Sequence, residues 1–208
     1  MDGSDDAVEP LTETSANPNP IEQFREWFDA ALATGMIEPN AMTLATATSD
    51  GRPSARMGLL QSFDQRGFVF YTNYESRKGL ELAANPRAAL VFFWPQLRRQ
   101  VRIEGSVVEL TADESDAYFA ARARGSRIAA IASRQSAVLT SRDELDHRVA
   151  ELKDEYGGTD VPRPSYWGGY RVHPIVIEFW QGRPNRLHDR LRYVRLETGL
   201  WLVERLSP

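Results

Sequence analysis

SYWGGYRVHPIVIEFWQGRPNRLHDR, residues 165–190, decides how the rest of the chain is read. It holds two of the five Trp, two of the three His and four Arg. Aromatic bulk, glycines and basic groups lie closer together than a plain core strand requires. The stretch predicts a strand over 166–172, a break at His173-Pro174 where the ladder donor is lost, a strand over 175–181 and a turn over Gly182–Asn185. In an extended segment after that turn, Arg186, His188 and Arg190 alternate and share one face. Two guanidiniums and an imidazole just past Trp180 suit a planar anionic ligand. A solvated edge strand studded with charge is the competing reading.

Upstream, hydrophobic period separates helices from strands. Residues 1–19 are acidic and poor in large apolar groups, which predicts a disordered or loosely draped tail. A helix from Pro20 to about Thr34 buries Ile21, Phe24, Trp27, Phe28, Ala31 and Leu32. AMTLATATS from Ala41 reads as a strand, and Asp50-Gly51 as a hairpin turn. Strands over 52–63 and 68–73 complete an expected three-strand meander. A helix over 75–84 and strands over 87–94 and 98–110 follow. Helices are expected over 112–123, 126–133 and 141–156, the last opened by a Ser141/Glu144 capping box. Strands over 191–196 and 200–206 close the chain. Strands dominate with helices inserted between them, so the expected class is α+β, an antiparallel barrel rather than a doubly wound parallel sheet. There is no GxGxxG after a strand, which disfavours a Rossmann dinucleotide site.

Composition narrows function further. A chain of 208 residues suits one domain with a substantial core, expected over 20–208. Net charge is −4, so no global basic field awaits nucleic acid. With no Cys and three His, disulfides, thiolate catalysis and a metal site are not expected. No apolar run reaches membrane length, and no basic segment precedes Arg25, so the cytoplasm is the expected compartment.

Five groups of polar residues stand out. Tyr71-Thr72-Asn73 precedes Arg77 and Lys78, two cations in the first turn of a helix. Cations oppose the helix dipole there unless an anion is bound, so the placement points to a phosphate. Arg56, in a strand of small and apolar neighbours, either has an acid partner or an anion, or faces outward from a half-exposed sheet. Gly58 leaves room for close approach to the backbone. Gln100 can pair with the edge of a heterocycle. Tyr118 and Arg122, four apart, share a helix face, with Ser126 just beyond. Gln135-Ser136 lies between helices. No acid–base dyad or Ser–His–Asp order stands out, which points to an organic cofactor.

The chain resembles the pyridoxamine (pyridoxine) 5′-phosphate oxidase family. The resemblance rests on AMTLAT, RMGLL at 56–60, FYTNYESRKG at 70–79, NPRAAL, RRQVRIEG at 98–105, ASRQS at 132–136, PSYWGGYR, EFWQGRPNRLHDR and the terminal ERLSP. It implies a Greek-key split β-barrel with peripheral helices, binding FMN at the interface of a homodimer. It implies oxidation of pyridoxamine or pyridoxine 5′-phosphate to pyridoxal 5′-phosphate, with dioxygen as acceptor and hydrogen peroxide as product. FMN would be met by Arg56, Met57, Gly58, Leu59, Leu60, Gln61, Tyr71, Thr72, Arg77, Lys78, Gln100, Gln135, Ser136, Trp180 and Arg190. Substrate would be met by Gln61, Tyr118, Arg122, Ser126, Arg186, Leu187 and His188, with Arg186 and His188 over the reacting ring as catalytic residues. The sequence departs from the family at Gln61, where a Lys normally helps to bind the substrate phosphate. Arg124 or Arg127 is expected to compensate, or the substrate differs. Two alternatives stay open: a split-barrel flavin oxidase of another aromatic, of the phenazine type, and a non-catalytic carrier of flavin or pyridoxal phosphate.

Overall fold

The DG turn forms as expected in the computed structural model, which describes residues 9–208. Gly51 takes a left-handed backbone (φ 87°), which glycine adopts without a Cβ penalty. Strand β1 (Ala41–Ala47) then runs antiparallel to β2 (Pro53–Leu59), with Ala41 opposite Leu59. The expected meander stops there. Leu60 turns inward and its N–H bonds to Asn40, so Ser62–Asp64 (β3) leaves β2 and pairs with β4 (Gly67–Asn73). The second neighbour of β1 is β5 (Arg87–Trp94), and that of β4 is β7 (Trp167–Gln181). With β6 (Arg99–Glu109), the sheet order is β2-β1-β5-β6-β7-β4-β3. The strands at the two ends of that order are joined by Leu60 and Gln61 alone, so the sheet must curl on itself. The result is a split antiparallel barrel with helices outside it.

Strand β7 is fifteen residues long and runs straight through His173-Pro174, where a break was expected. Its first part pairs with β4 and its last part with β8 (Asp189–Arg195), which in turn pairs with β9 (Trp201–Arg205). Pro174 falls between the two partners, where a missing N–H disturbs neither ladder. A register shift at Glu104/Gly105 on β6 absorbs the irregularity. A Cβ on Gly105 would lie 2.1 Å from the His173 carbonyl oxygen, so the bulge requires glycine.

Helix α1 (Pro20–Ala33) closes the barrel core, its first turn capped by the Asn19 side chain. The Phe24 ring meets Phe63, Phe68 and Phe92 edge-on at 4.8–5.1 Å, and Trp27 meets Phe179 at 5.2 Å. A second apolar cluster forms where α3 (Ala112–Ala121), α4 (Arg124–Ala132) and α5 (Arg142–Tyr156) gather around Trp167. The full capping box belongs to α3, through Thr111 and Glu114. Ser141 does cap α5, but the Glu144 carboxylate bonds to Thr140 instead of completing a box.

The tail expectation needs correction from residue 9 onward; residues 1–8 lie outside the described residues. Leu11 is buried, Arg205 donates to Glu13 at 2.8 Å and to the Leu11 carbonyl at 3.0 Å, and the Tyr193 hydroxyl donates to the Asn17 carbonyl. The acidic composition that reads as disorder supplies a partner for β9. No helix among the described residues is long and apolar enough to cross a membrane.

Candidate functional site

Helix α2 (Arg77–Ala84) begins two residues later than expected, with Ser76 as its cap. Arg77 and Lys78 therefore stand at its first two positions. A Cβ on Gly79 would lie 2.0 Å from the Tyr74 carbonyl oxygen, so glycine lets this turn sit against β4. The Lys78 ammonium donates to Thr72 (3.1 Å), Ser76 (3.2 Å) and Gln135 (3.0 Å), all neutral oxygens. Burial, followed by repulsion from Arg56, holds its pKa down at about 8. Arg56 faces inward from β2, with NH1 on Thr46 at 2.6 Å and NH2 3.4 Å from the Glu81 carboxylate. Arg77 Nε donates to Glu81 at 2.9 Å. Burial works against the charge on Glu81, yet hydrogen bonds from Ser54, Thr46 and Arg77 outweigh it and hold the carboxyl at about 2. Arg77, Glu81, Asn73, Gln135 and Ser136 line an open cleft of about 950 Å³. Three cations face a single carboxylate here, so the residues fit a phosphomonoester.

A smaller cavity, about 340 Å³, adjoins it and is lined by Tyr71, Thr72, Arg122, Ser126, Gln135 and Trp167. Asn73 and Gln135 line both spaces, so the two share a wall, and Gln135 with Thr72 also holds Lys78. Tyr71 and Thr72 are successive on β4 and point to opposite sides, so Tyr71 does not join the Lys78 group. It stacks on Tyr118 at 3.7 Å, with Trp167 parallel to both. Arg122 is not on a helix face with Tyr118: α3 ends at Ala121 and Arg122 is extended (ψ 148°). That swing lays its guanidinium 4.6 Å from the Trp167 ring, near Ser126 in the first turn of α4. Burial lowers the Arg122 pKa, and its NH1 is buried with no hydrogen-bond partner. A buried donor left unpaired is costly, and an anion would satisfy it. Arg124 and Arg127, expected to compensate for Gln61, bind the 157–161 loop through Thr159, Gly157 and Asp160. Gln61 itself is exposed, its N–H fixed to Val69 on β4.

The remaining residues lie on another face. Gln100 stands opposite Trp180, and Trp180 opposite Arg190, so these side chains form a row across β6, β7 and β8. They alternate with buried Val101, Phe179 and Leu191 and so point outward. Met57 and Leu59 also point outward, Gly58 faces inward with Arg56, and Leu60 is buried. Arg190 is held by Glu178 at 2.9 Å, and the His188 ring packs on Trp180 at 4.5 Å. The alternation expected of Arg186, His188 and Arg190 does not form, because β8 starts only at Asp189 and both Arg186 and His188 precede it. Arg186 instead ends a short 3-10 turn over Pro184–Arg186, with Asn185 and Arg186 both left-handed (φ 56° and 61°). For arginine that conformation costs about 1–2 kcal/mol, strain of the kind found at ligand-binding turns. Leu187 is exposed beside it. Within one chain, then, the Arg56 group and the Gln100 row occupy opposite faces of the sheet. Sequence reasoning missed Glu81, Thr46, Ser54 and Trp167; the Arg77–Glu81 spacing of four was the available signal for the first.

Comparison with known proteins is consistent with this arrangement. Residues 28–156 match the family model described as pyridoxamine 5′-phosphate oxidase, and residues 167–208 match the pyridoxine 5′-phosphate oxidase C-terminal dimerisation region. The chain belongs to the pyridoxamine 5′-phosphate oxidase family. Its relatives in this family include the pyridoxine/pyridoxamine 5′-phosphate oxidase of Gloeothece citriformis, 62% identical over 95% of this chain and 92% of that protein. The oxidase of Bordetella petrii is 61% identical over 95% of this chain and 93% of its own length. Among solved structures, PhzG of Burkholderia lata, in complex with tetrahydrophenazine-1-carboxylic acid, is 36% identical with a TM-score of 0.90, covering 97% of this chain and 99% of that one. An FMN-binding protein of Nostoc punctiforme, 17% identical at TM-score 0.71 over 93% of this chain and 99% of that one, shares the fold. In the oxidase family's terms, Trp180, Arg186, His188 and Arg190 all fall in the dimerisation region.

Proposed function

We propose that this protein oxidises pyridoxamine and pyridoxine 5′-phosphate to pyridoxal 5′-phosphate with FMN as cofactor and dioxygen as acceptor, releasing hydrogen peroxide. It works as a homodimer on this small-molecule substrate. The observation that carries the reading is the pair of adjoining anion-ready spaces, one bordered by Arg77 beside the Lys78 group and one holding Arg122 with its unpaired NH1, separated by Asn73 and Gln135. Two phosphomonoesters held side by side are what a flavin oxidase of a phosphorylated vitamer needs.

In this reading Arg56, Arg77 and Lys78 hold the FMN phosphate, with Thr72, Gln135 and Ser136 around it. The outward row Gln100, Trp180 and Arg190 comes from the second copy, which places FMN at the interface. Arg122 and Ser126 take the substrate phosphate, beside the Tyr118–Tyr71 stack, and Gln61 flanks it. FMN, when bound, accepts two electrons from the C4′ position of the substrate and passes them to dioxygen. Arg186 orients the substrate and favours negative charge beside the ring. His188 Nδ1 accepts the backbone N–H of Arg183, so in the neutral ring the proton sits on Nε2, leaving that atom to donate.

An absorbance spectrum of the purified protein tests the cofactor, and anaerobic addition of pyridoxamine 5′-phosphate tests the reaction. A flavin band that bleaches supports the proposal. A colourless protein that ignores added FMN refutes it, and a flavin band indifferent to the vitamer leaves a carrier. The phenazine-type alternative keeps Gln61 in its favour. Identity of 62% to a vitamer oxidase, against 36% to PhzG, favours the vitamin substrate.

A further inference from the structure

Thr46, Ser54, Arg56 and Arg77 surround one buried carboxylate. Glu81 is 5% exposed at the base of the larger cleft. Its Oε1 accepts from Arg77 Nε at 2.9 Å, while its Oε2 accepts from the hydroxyls of Thr46 and Ser54 and faces Arg56 NH2 at 3.4 Å. The same hydroxyls accept from Arg56, Thr46 from NH1 and Ser54 from NH2, and NH1 also reaches the Leu44 carbonyl. Acceptors thus engage both terminal nitrogens of Arg56, and among the described residues its Nε–H has none. Arg77 gives up only Nε, and the side chain, which lines the cleft, is 63% exposed.

We propose that Glu81 is a positioning residue for the flavin phosphate. It holds Arg77 through Nε and, together with the Thr46 and Ser54 hydroxyls, fixes the terminal nitrogens of Arg56, leaving the Arg77 terminal nitrogens and the Arg56 Nε–H for the anion. The inference rests on the FMN reading above. Long cationic side chains lose rotamer freedom when they bind, and holding them beforehand removes that loss from the binding step. Glu81 also sets the charge of the site. Arg56, Arg77 and Lys78 less one carboxylate leave +2, against about −2 on a phosphomonoester. The ring of hydroxyls explains why a carboxylate can sit beside an anion site without pairing off its cations. Thr46 and Ser54 take up much of Oε2, so Glu81 fixes its arginines by their edges instead of neutralising their faces.

The test compares FMN with riboflavin, which lacks the phosphate, by fluorescence titration of the wild-type chain and of Glu81→Gln. The ratio of the two dissociation constants isolates the phosphate contribution. Glu81→Gln is expected to cut that ratio by about tenfold or more, the scale of a lost charge-assisted contact, while riboflavin affinity holds. A merely structural role would weaken both ligands alike and leave the ratio unchanged, which overturns the proposal. A ratio that rises would make Glu81 only a competing charge and overturns it too. If Glu81→Gln does not fold, Ser54→Ala, which removes the hydroxyl bridging Glu81 to Arg56, is read the same way. A wild-type chain that binds neither ligand sinks the FMN reading itself, and is told apart from a wild type that prefers FMN while the variant keeps that preference.

Discussion

Raising the pH from about 7 to about 9 is expected to weaken FMN binding by about tenfold. Lys78 is the reason. Burial and then the Arg56 guanidinium hold its pKa at about 8, with Glu81 offsetting only part of that. In the free chain it is about nine-tenths charged at pH 7 and about one-tenth charged at pH 9. A phosphate dianion beside it favours the ammonium and raises the pKa again. Binding above pH 8 therefore takes up a proton, and affinity falls as the pH rises, by up to about tenfold per unit. The phosphate does not confuse the profile, because its second pKa, about 6, leaves it dianionic throughout. Quenching of flavin fluorescence, followed across this range with FMN and with riboflavin, reads the slope directly. Lys78→Arg keeps its charge and should flatten the curve. A flat wild-type profile between pH 7 and 9 would refute the reasoning, as would an equal slope for riboflavin or for Lys78→Arg.

Arg122→Ala is expected to raise KM for pyridoxamine 5′-phosphate by roughly ten- to a hundredfold while FMN occupancy stays full, as read by steady-state kinetics and the flavin absorbance ratio. Gln61→Lys should lower the same KM; an unchanged value removes position 61 from the substrate site. Gly79→Ala would drive a Cβ to 2.0 Å from the Tyr74 carbonyl oxygen, and should lower stability by roughly 1–3 kcal/mol in urea unfolding.

Local signals in the sequence carried far. Pro20 and Asp50-Gly51 mark a helix start and a turn that the structure contains, because first-turn and hairpin geometry depend on one to three adjacent residues. The placement of Arg77 and Lys78 in a first helical turn was legible for the same reason. Pairing between distant strands was not. Nothing near Asn73 says that β4 pairs with Trp167–Val172, since that choice is settled by which faces are buried after the sheet curls. Pro174 misled for a related reason: its lost donor matters only if a neighbour needs it, and there the neighbour changes. Arg56 read equally as partnered or outward-facing, and the partner that decides it, Glu81, lies 25 residues away, beyond any local pattern. The turn at Arg186 was hidden because a left-handed arginine has no sequence signature.

The wiring at Leu60 and Gln61 also bears on when the protein can take up its flavin. Arg56 lies on the strand before this link, and Thr72 on the second strand after it, yet β2 and β4 belong to opposite ends of the sheet order. Their hairpins can form early, each from neighbouring sequence. The two halves meet across the barrel only after β5, β6 and β7 have been laid down, the last of them some hundred residues later in the chain. Closure of this kind is slow, on the scale of milliseconds to seconds. A nascent chain therefore has no cradle to offer until nearly all of it has been made, and flavin capture is an event of the finished barrel.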